Sequence, residues 1–177
     1  MLAPAQGGNA MAKLVCVLGL AAALLIAPAQ ADAVRGKGYS AVFPCSVKLT
    51  GQQVAAGKKT IPVIDASCEA GEALFFVAAS TYPKGFIAKK TLVGAFKDAV
   101  AGAAANVKGT VRLDRPIKMG RTPGHDVMID VPSGKMAAHL RVFFVGDMQY
   151  QVMVVGPRGS ESAKPATDFL ASFKLGK

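Results

Sequence analysis

The sequence predicts an α+β fold, an antiparallel sheet with helices packed on it. Three observations carry this. Short apolar runs bounded by Gly, Pro and polar clusters recur along the chain, as strands do. Between about Ala88 and Val107 the apolar period changes from 2 to 3.6, which marks one amphipathic helix. Both faces of the last predicted hairpin are largely apolar, so something must cover each side of the sheet.

The elements follow in order. From Tyr39 to Thr50 apolar runs are interrupted by Pro44, which predicts an edge strand or a bend. Thr60 to Ser67 and Ala73 to Thr81 read as two strands joined through the turn-like patch Cys68-Glu69-Ala70-Gly71-Glu72, and Tyr82-Pro83-Lys84-Gly85 stops the second. In the helix Leu92, Phe96, Val100, Ala103 and Val107 fall on one stripe. Gly94 and Gly102 weaken it, each by about 1 kcal/mol relative to Ala, a cost that close packing on a sheet would explain.

Strands are then predicted at Thr110 to Lys118, His125 to Val131, Met136 to Val145 and Met148 to Val155. Gly120-x-x-Pro123-Gly124 reads as a tight turn entering the second of these, because Pro presets φ and Gly supplies a positive one. Gly146-Asp147 places Gly first in a two-residue loop, as a type II′ turn prefers. That register sets Val145 opposite Met148, Phe143 opposite Tyr150 and Arg141 opposite Val152. His139, Arg141, Phe143 and Val145 then share one face, and Leu140, Val142 and Phe144 the other. The segment from about Ser162 to Phe173 reads as a second helix, with Phe169 and Phe173 at i, i+4 and Pro165 in its first turn.

Ahead of these elements, Lys13 is followed by an uncharged apolar run from Leu14 to Ala27 and by Ala29-Gln30-Ala31. The order matches a secretory signal peptide with cleavage after Ala31. A permanent anchor needs roughly 20 apolar residues, and this run is shorter and followed by Pro28. Residues 1–31 are therefore expected to be removed, leaving 32–177 as a single domain that is periplasmic or secreted, with no stable membrane anchor. The full chain of 177 residues carries a net charge of +10, and losing Lys13 leaves +9. Such an excess favours anionic partners. The cations are scattered without interleaved aromatics and there is no Trp, which argues against nucleic acid.

With Cys16 in the leader, the mature chain keeps Cys45 and Cys68. The pair lacks the C-x-x-C spacing of a redox site and has no further ligands nearby for zinc, so a structural disulfide is expected. Closing that loop stabilises the fold by about 3.5 kcal/mol on the chain-entropy argument.

Candidate chemistry is sparse. His125 with Asp126 could form an acid/base pair at a strand end, and His139 lies two residues from Arg141 on one face. No nucleophile with its base, no H-E-x-x-H and no carboxylate cluster accompanies them. Arg112, Arg115, Lys118 and Arg121 form a basic stretch in which Arg112 and Lys118, an even number apart, could share a strand face, solvated or serving as an anion site. Gly156-Pro157-Arg158-Gly159-Ser160 is Gly-rich but is not a phosphate loop.

Phe43-Pro44, the hairpin ending in Tyr82-Pro83, one alanine-rich helix, Gly120-x-x-Pro123-Gly124, Arg141 and Tyr150 flanking a hairpin, Val155-Gly156 and the terminal Phe169-Leu170-Ala171-Ser172-Phe173 together resemble small exported bacterial proteins without an assigned activity. Their architecture is similar to the PsbP-like domains, whose founding member is an extrinsic protein of photosystem II. The resemblance covers about residues 39 to 175 and implies an antiparallel sheet between helices, a PsbP-like α/β/α sandwich, serving binding or assembly without catalytic residues. Cys45 and Cys68 depart from the common pattern, and no manganese, calcium or chloride site carries over.

The expectation is thus an exported, non-enzymatic protein-interaction or assembly module of the cell envelope. It would dock through its basic surface on an envelope protein or an anionic surface component, with no cofactor and no metal. One alternative is a small-ligand binder using a sheet–helix cleft, with Arg141 and Tyr150 as polar contacts. The other is a hydrolase centred on His125 and Asp126.

Overall fold

The computed structural model describes residues 31–56, 59–87, 91–132 and 134–176. The leader reading, including Cys16, falls on residues outside this set, as do Ala88, Lys89 and Lys90 at the expected start of the helix. The strands are β1 (Asp32–Gly36), β2 (Tyr39–Phe43), β3 (Lys48–Ala56), β4 (Lys59–Ala70), β5 (Ala73–Thr81), β6 (Thr110–Met119), β7 (Thr122–Asp130), β8 (Met136–Val145), β9 (Met148–Pro157) and β10 (Lys174–Leu175). The helices are α1 (Leu92–Asn106) and α2 (Lys164–Ser172), the latter preceded by a 3-10 turn at Ser160–Ser162.

One antiparallel sheet holds seven strands in the order β3-β4-β5-β9-β8-β7-β6, and a smaller one holds β1-β2-β10. The β8–β9 register sets Val145 against Met148, Phe143 against Tyr150 and Arg141 against Val152, as the two-residue loop predicts. Gly146 has φ +58°. Its partner Asp147 is not left-handed, as a type II′ turn requires.

The two faces of the large sheet are covered differently. On the first, Phe75, Val77, Phe143, Val152 and Val154 pack with Phe169 and Leu170 of α2 and with Tyr39 and Phe43 of the small sheet. Ring contacts run through this layer, with Phe43 4.8 Å and Phe75 5.4 Å from Phe169, and Phe173 stacked between Tyr39 and Phe143. Pro165 sits in the first turn of α2, where its missing N–H costs nothing. The disulfide joins Cys45 to Cys68, tying the β2–β3 connection to β4 at the border of the same core.

On the second face, Val100, Ala103 and Ala104 of α1 meet Val127, Ile129 and Leu140, and Phe96 meets Val142 and Phe144. The α1 contacts run to β6, β7 and β8, so the helix covers that half of the sheet. Thr91 caps it by accepting from the Gly94 N–H.

Several local expectations change. Cys68, Glu69 and Ala70 belong to β4, and the turn shrinks to Gly71-Glu72, with Gly71 at φ +59°. The tight turn before β7 is Gly120-Arg121, while Pro123 and Gly124 lie inside the strand, paired with Lys118 and Ile117. Gly124 is glycine for another reason: a Cβ there would sit 2.4 Å from the Phe143 ring. Neither helix glycine marks close packing on the sheet: a Cβ on Gly102 would meet nothing within 4 Å, and one on Gly94 would meet the capping Thr91 Oγ1 at 3.2 Å. Leu92, expected on the buried stripe, is the first residue of α1 and is exposed, the buried stripe beginning at Ala95 and Phe96.

Candidate functional site

Alternation along β7 and β8 points Asp126, His139 and Arg141 to the first face, where β6 adds Arg115 and the loop after β9 adds Glu161. Asp126 is fully buried. Its Oδ2 accepts from Arg115 Nε and Nη2 at 2.9 and 2.7 Å, and its Oδ1 accepts from His139 Nε2 at 2.8 Å and Arg141 Nε at 3.1 Å. Burial alone would raise its pKa, but the bonds from His139, Arg115 and Arg141, with the charge near His139, outweigh burial and hold the carboxyl well below the ordinary aspartate range. The other nitrogen of His139 faces the Glu161 carbonyl at 3.1 Å. Both ring nitrogens are therefore committed to acceptors.

Glu161, also buried, takes Arg112 Nη2 at 3.3 Å and the Gly159 N–H, which fixes the 3-10 turn against β6. Asp130 lies 3.3 Å from Arg112 Nε and 3.1 Å from Arg158 Nη2. Asp126 and Glu161 are each met by several hydrogen-bond donors and Asp130 by two guanidinium charges, an arrangement that balances the carboxylates and holds strand, turn and helix in one register.

The expected basic stretch is divided by this network. Arg112 is the extra residue of a β-bulge between Val111 and Leu113, so it turns to the first face with Arg115, while Lys118 faces the other side. Arg112 and Lys118, which could share a face by spacing alone, do not, because the bulge breaks the two-residue period. Arg121 sits in the β6–β7 turn, exposed. Arg141 Nη1 donates to the Leu170 carbonyl at 3.1 Å and the Tyr150 hydroxyl donates to the Lys37 carbonyl at 3.2 Å, so both tie α2 and the small sheet to the large one.

His125 and Asp126 are neighbours in sequence and lie on opposite faces of the sheet. His125 Nδ1 is 2.5 Å from Asp114 Oδ1, and its ring stacks on Phe96 of α1 at 4.3 Å. The structure does not bring the His125/Asp126 pair together. Among the described residues no group of three His, Cys, Asp or Glu side chains is placed to hold a metal ion.

A cleft of about 550 Å³ opens on the second face, between α1 and the half of the sheet that the helix leaves uncovered. Asp65 and Gln52 on its floor were not among the sequence candidates. Arg141 and Tyr150, expected as its polar contacts, lie on the opposite face, since His139, Arg141 and Phe143 follow one phase of β8 and the cleft-lining Phe144 the other. A signal for Asp65 was present in the phase of β4, where Ile61, Val63 and Asp65 share a face. It is masked because Pro62, Ile64 and Ala66, on the opposite phase, are apolar too.

No protein-family model matches the chain, and no curated protein does. Among solved structures, the cyanobacterial PsbP (CyanoP) of Synechocystis sp. PCC 6803 matches with a TM-score of 0.55 at 11% identity, covering 89% of this chain and 98% of that one. A Bacteroides thetaiotaomicron protein matches with a TM-score of 0.44 at 13% identity over 85% of this chain. The present chain spans about half the length of the Bacteroides protein, 49%. The likeness to CyanoP identifies a PsbP-like fold and nothing further.

Proposed function

We propose that the chain is an exported, non-enzymatic binding module of the cell envelope, a PsbP-like α/β/α sandwich that docks on an envelope protein or anionic surface component through the hairpin end of β6. The observation that carries this is the position of β6. It is the outermost strand of the large sheet, almost wholly exposed, and bears Arg112, Arg115 and Lys118, with Arg121 in the adjoining turn. The bulge at Arg112, Pro116 and the charges discourage edge-to-edge strand addition, so recognition rests on side-chain charge.

The cations are not equivalent. Arg112 and Arg115 neutralise buried Glu161 and Asp126. Among the described residues Lys118 and Arg121 form no ion pair, which leaves them available to an anionic partner. The paired state of Asp126 and His139 supports a role without acid/base catalysis. The disulfide supports an oxidising compartment, in keeping with removal of residues 1–31 and a periplasmic or secreted location.

Capture of envelope proteins by the exported protein across a salt series tests the reading. Lys118→Glu with Arg121→Glu is expected to lower the on-rate and flatten the salt dependence while leaving stability unchanged. An unchanged on-rate and salt slope would remove this edge from the interface. N-terminal sequencing is expected to begin at Asp32, and an intact leader on the exported protein would overturn the processing.

A further inference from the structure

The cleft on the second face has a chemistry of its own. Its volume of about 550 Å³ falls within the range of small-molecule sites. It exists because α1 presents Ala95, Ala99 and Gly102 toward β3–β5, side chains too short to fill the space between helix and sheet. The walls are mainly apolar and aromatic, with Val63, Phe76, Phe86 and Phe144 among them.

The charge of the cleft opposes that of the protein. The chain carries +10, yet no Lys, Arg or His lines the cleft among the described residues, and Asp65 is its buried carboxylate. Asp65 is the anchor. It is 4% exposed. Its Oδ2 accepts from Gln52 Nε2 at 2.7 Å, while Oδ1 is buried without a hydrogen-bond partner. Desolvation, partly offset by the Gln52 bond, raises the pKa of this carboxyl. A buried acceptor left unmet is costly, and a donor in the cleft recovers that cost once a turn of the Asp65 side chain brings Oδ1 to the cleft surface.

We propose that the cleft binds a small amphipathic amine, its ammonium group donating to Asp65 Oδ1 and its apolar body lying against Val63, Phe76 and Phe144. An ammonium supplies both the missing donor and the charge complement of a carboxylate in an otherwise uncharged floor. Phe76, Phe86 and Phe144 line the same cleft, and an aromatic ring favours a cation that meets its face. A carboxylate ligand is disfavoured by the same groups. The site lies on the face opposite the Asp126 network and is independent of docking at β6.

The test uses three probes of one shape on the exported protein: 4-phenylbutylamine, 4-phenylbutanol and 4-phenylbutyrate, titrated by calorimetry and by amide shifts at Ala78 and Gly102. The amine is expected to bind at least about tenfold tighter than the alcohol, and the carboxylate weakest. Asp65→Asn, which keeps an acceptor for Gln52, is expected to reduce the amine to the affinity of the alcohol and leave the alcohol unchanged. Gly102→Phe, projecting into the open space, is expected to abolish binding of all three. Equal binding of amine and carboxylate, or no loss in Asp65→Asn, would overturn the amine assignment. Failure of all three probes to shift either amide would overturn the site. Loss of envelope capture in folded Asp65→Asn, with no free amine bound, would assign the cleft to a lysine of a protein partner and reject the small ligand. Salt-sensitive capture that persists in Gly102→Phe separates this site from the docking edge.

Discussion

Two buried aspartates on opposite faces of one sheet have opposite environments. Asp126 is met by four side-chain donors on two oxygens, whereas Asp65 has one donor on one oxygen and an acceptor left open. Around Asp126 the first face is covered by α2, the small sheet and an aromatic layer, while Leu49 and Ile64 at its far edge stay exposed. The second is covered by α1 over one half only. At Asp126 charge is neutralised from within the chain. Where the cover is incomplete, a carboxylate keeps capacity for something outside it. Burial raises the pKa of both groups, and the number of donors decides which way each ends.

The largest test of this contrast is removal of each charge. Asp126→Asn is expected to destabilise the fold by about 3 to 5 kcal/mol, because Arg115, Arg141 and His139 lose their common acceptor. Asp65→Asn is expected to stay within about 1 kcal/mol of wild type, since only one bond is exchanged. Urea midpoints measure both, and equal losses would break the contrast.

Next is Phe169→Ala, expected to cost about 3 to 5 kcal/mol through a cavity in the closed aromatic layer. Replacing Cys45 and Cys68 together by Ser should cost about 2 to 4 kcal/mol, mostly by freeing the unfolded chain. Chemical denaturation reads each, and a cost below about 1 kcal/mol for Phe169→Ala would show the layer to be loosely packed.

The pH dependence sharpens the comparison further. The folded-state pKa of Asp126 is lowered, so the unfolded chain binds more protons in the window beneath the ordinary value of 3.8, and its contribution, present above that value, is lost as pH falls. That of Asp65 is raised from 3.8, so its contribution is present below that value and lost as pH rises through the folded-state pKa. Stability against pH should therefore flatten above 3.8 in Asp65→Asn and lose its acid limb in Asp126→Asn. An unchanged profile in either variant would remove that group as the cause.

The smallest expected effect is Gly102→Ala, a gain of about 0.5 to 1 kcal/mol from helix propensity, because its Cβ would enter open space. A loss measured by thermal denaturation would mean that the helix packs more closely there.

Much of the fold was legible because period and turn chemistry are local. Gly146-Asp147 alone places Phe143 opposite Tyr150, and the two apolar faces of β8 alone require a cover on each side. The candidate sites were less legible. The period-2 argument placed Arg112 with Lys118 until the bulge turned Arg112 toward Glu161. His125 and Asp126 looked like partners through adjacency, but adjacent strand residues face apart.

What the sequence determined by itself is what depends on residues a few positions apart: strand and helix segments, the β8–β9 register and the face each β8 side chain takes. It also provided the two cysteines whose bond the structure contains. What only the tertiary structure decided is which charges meet. Asp126 is 11 residues from Arg115, 13 from His139 and 15 from Arg141, and Glu161 is 49 from Arg112. Such pairs are set by strand order and by the loop after β9. The same holds for the cleft, because an uncovered half-sheet comes from where α1 lies, and short side chains at 95, 99 and 102 become a cavity only when a strand face stands opposite them.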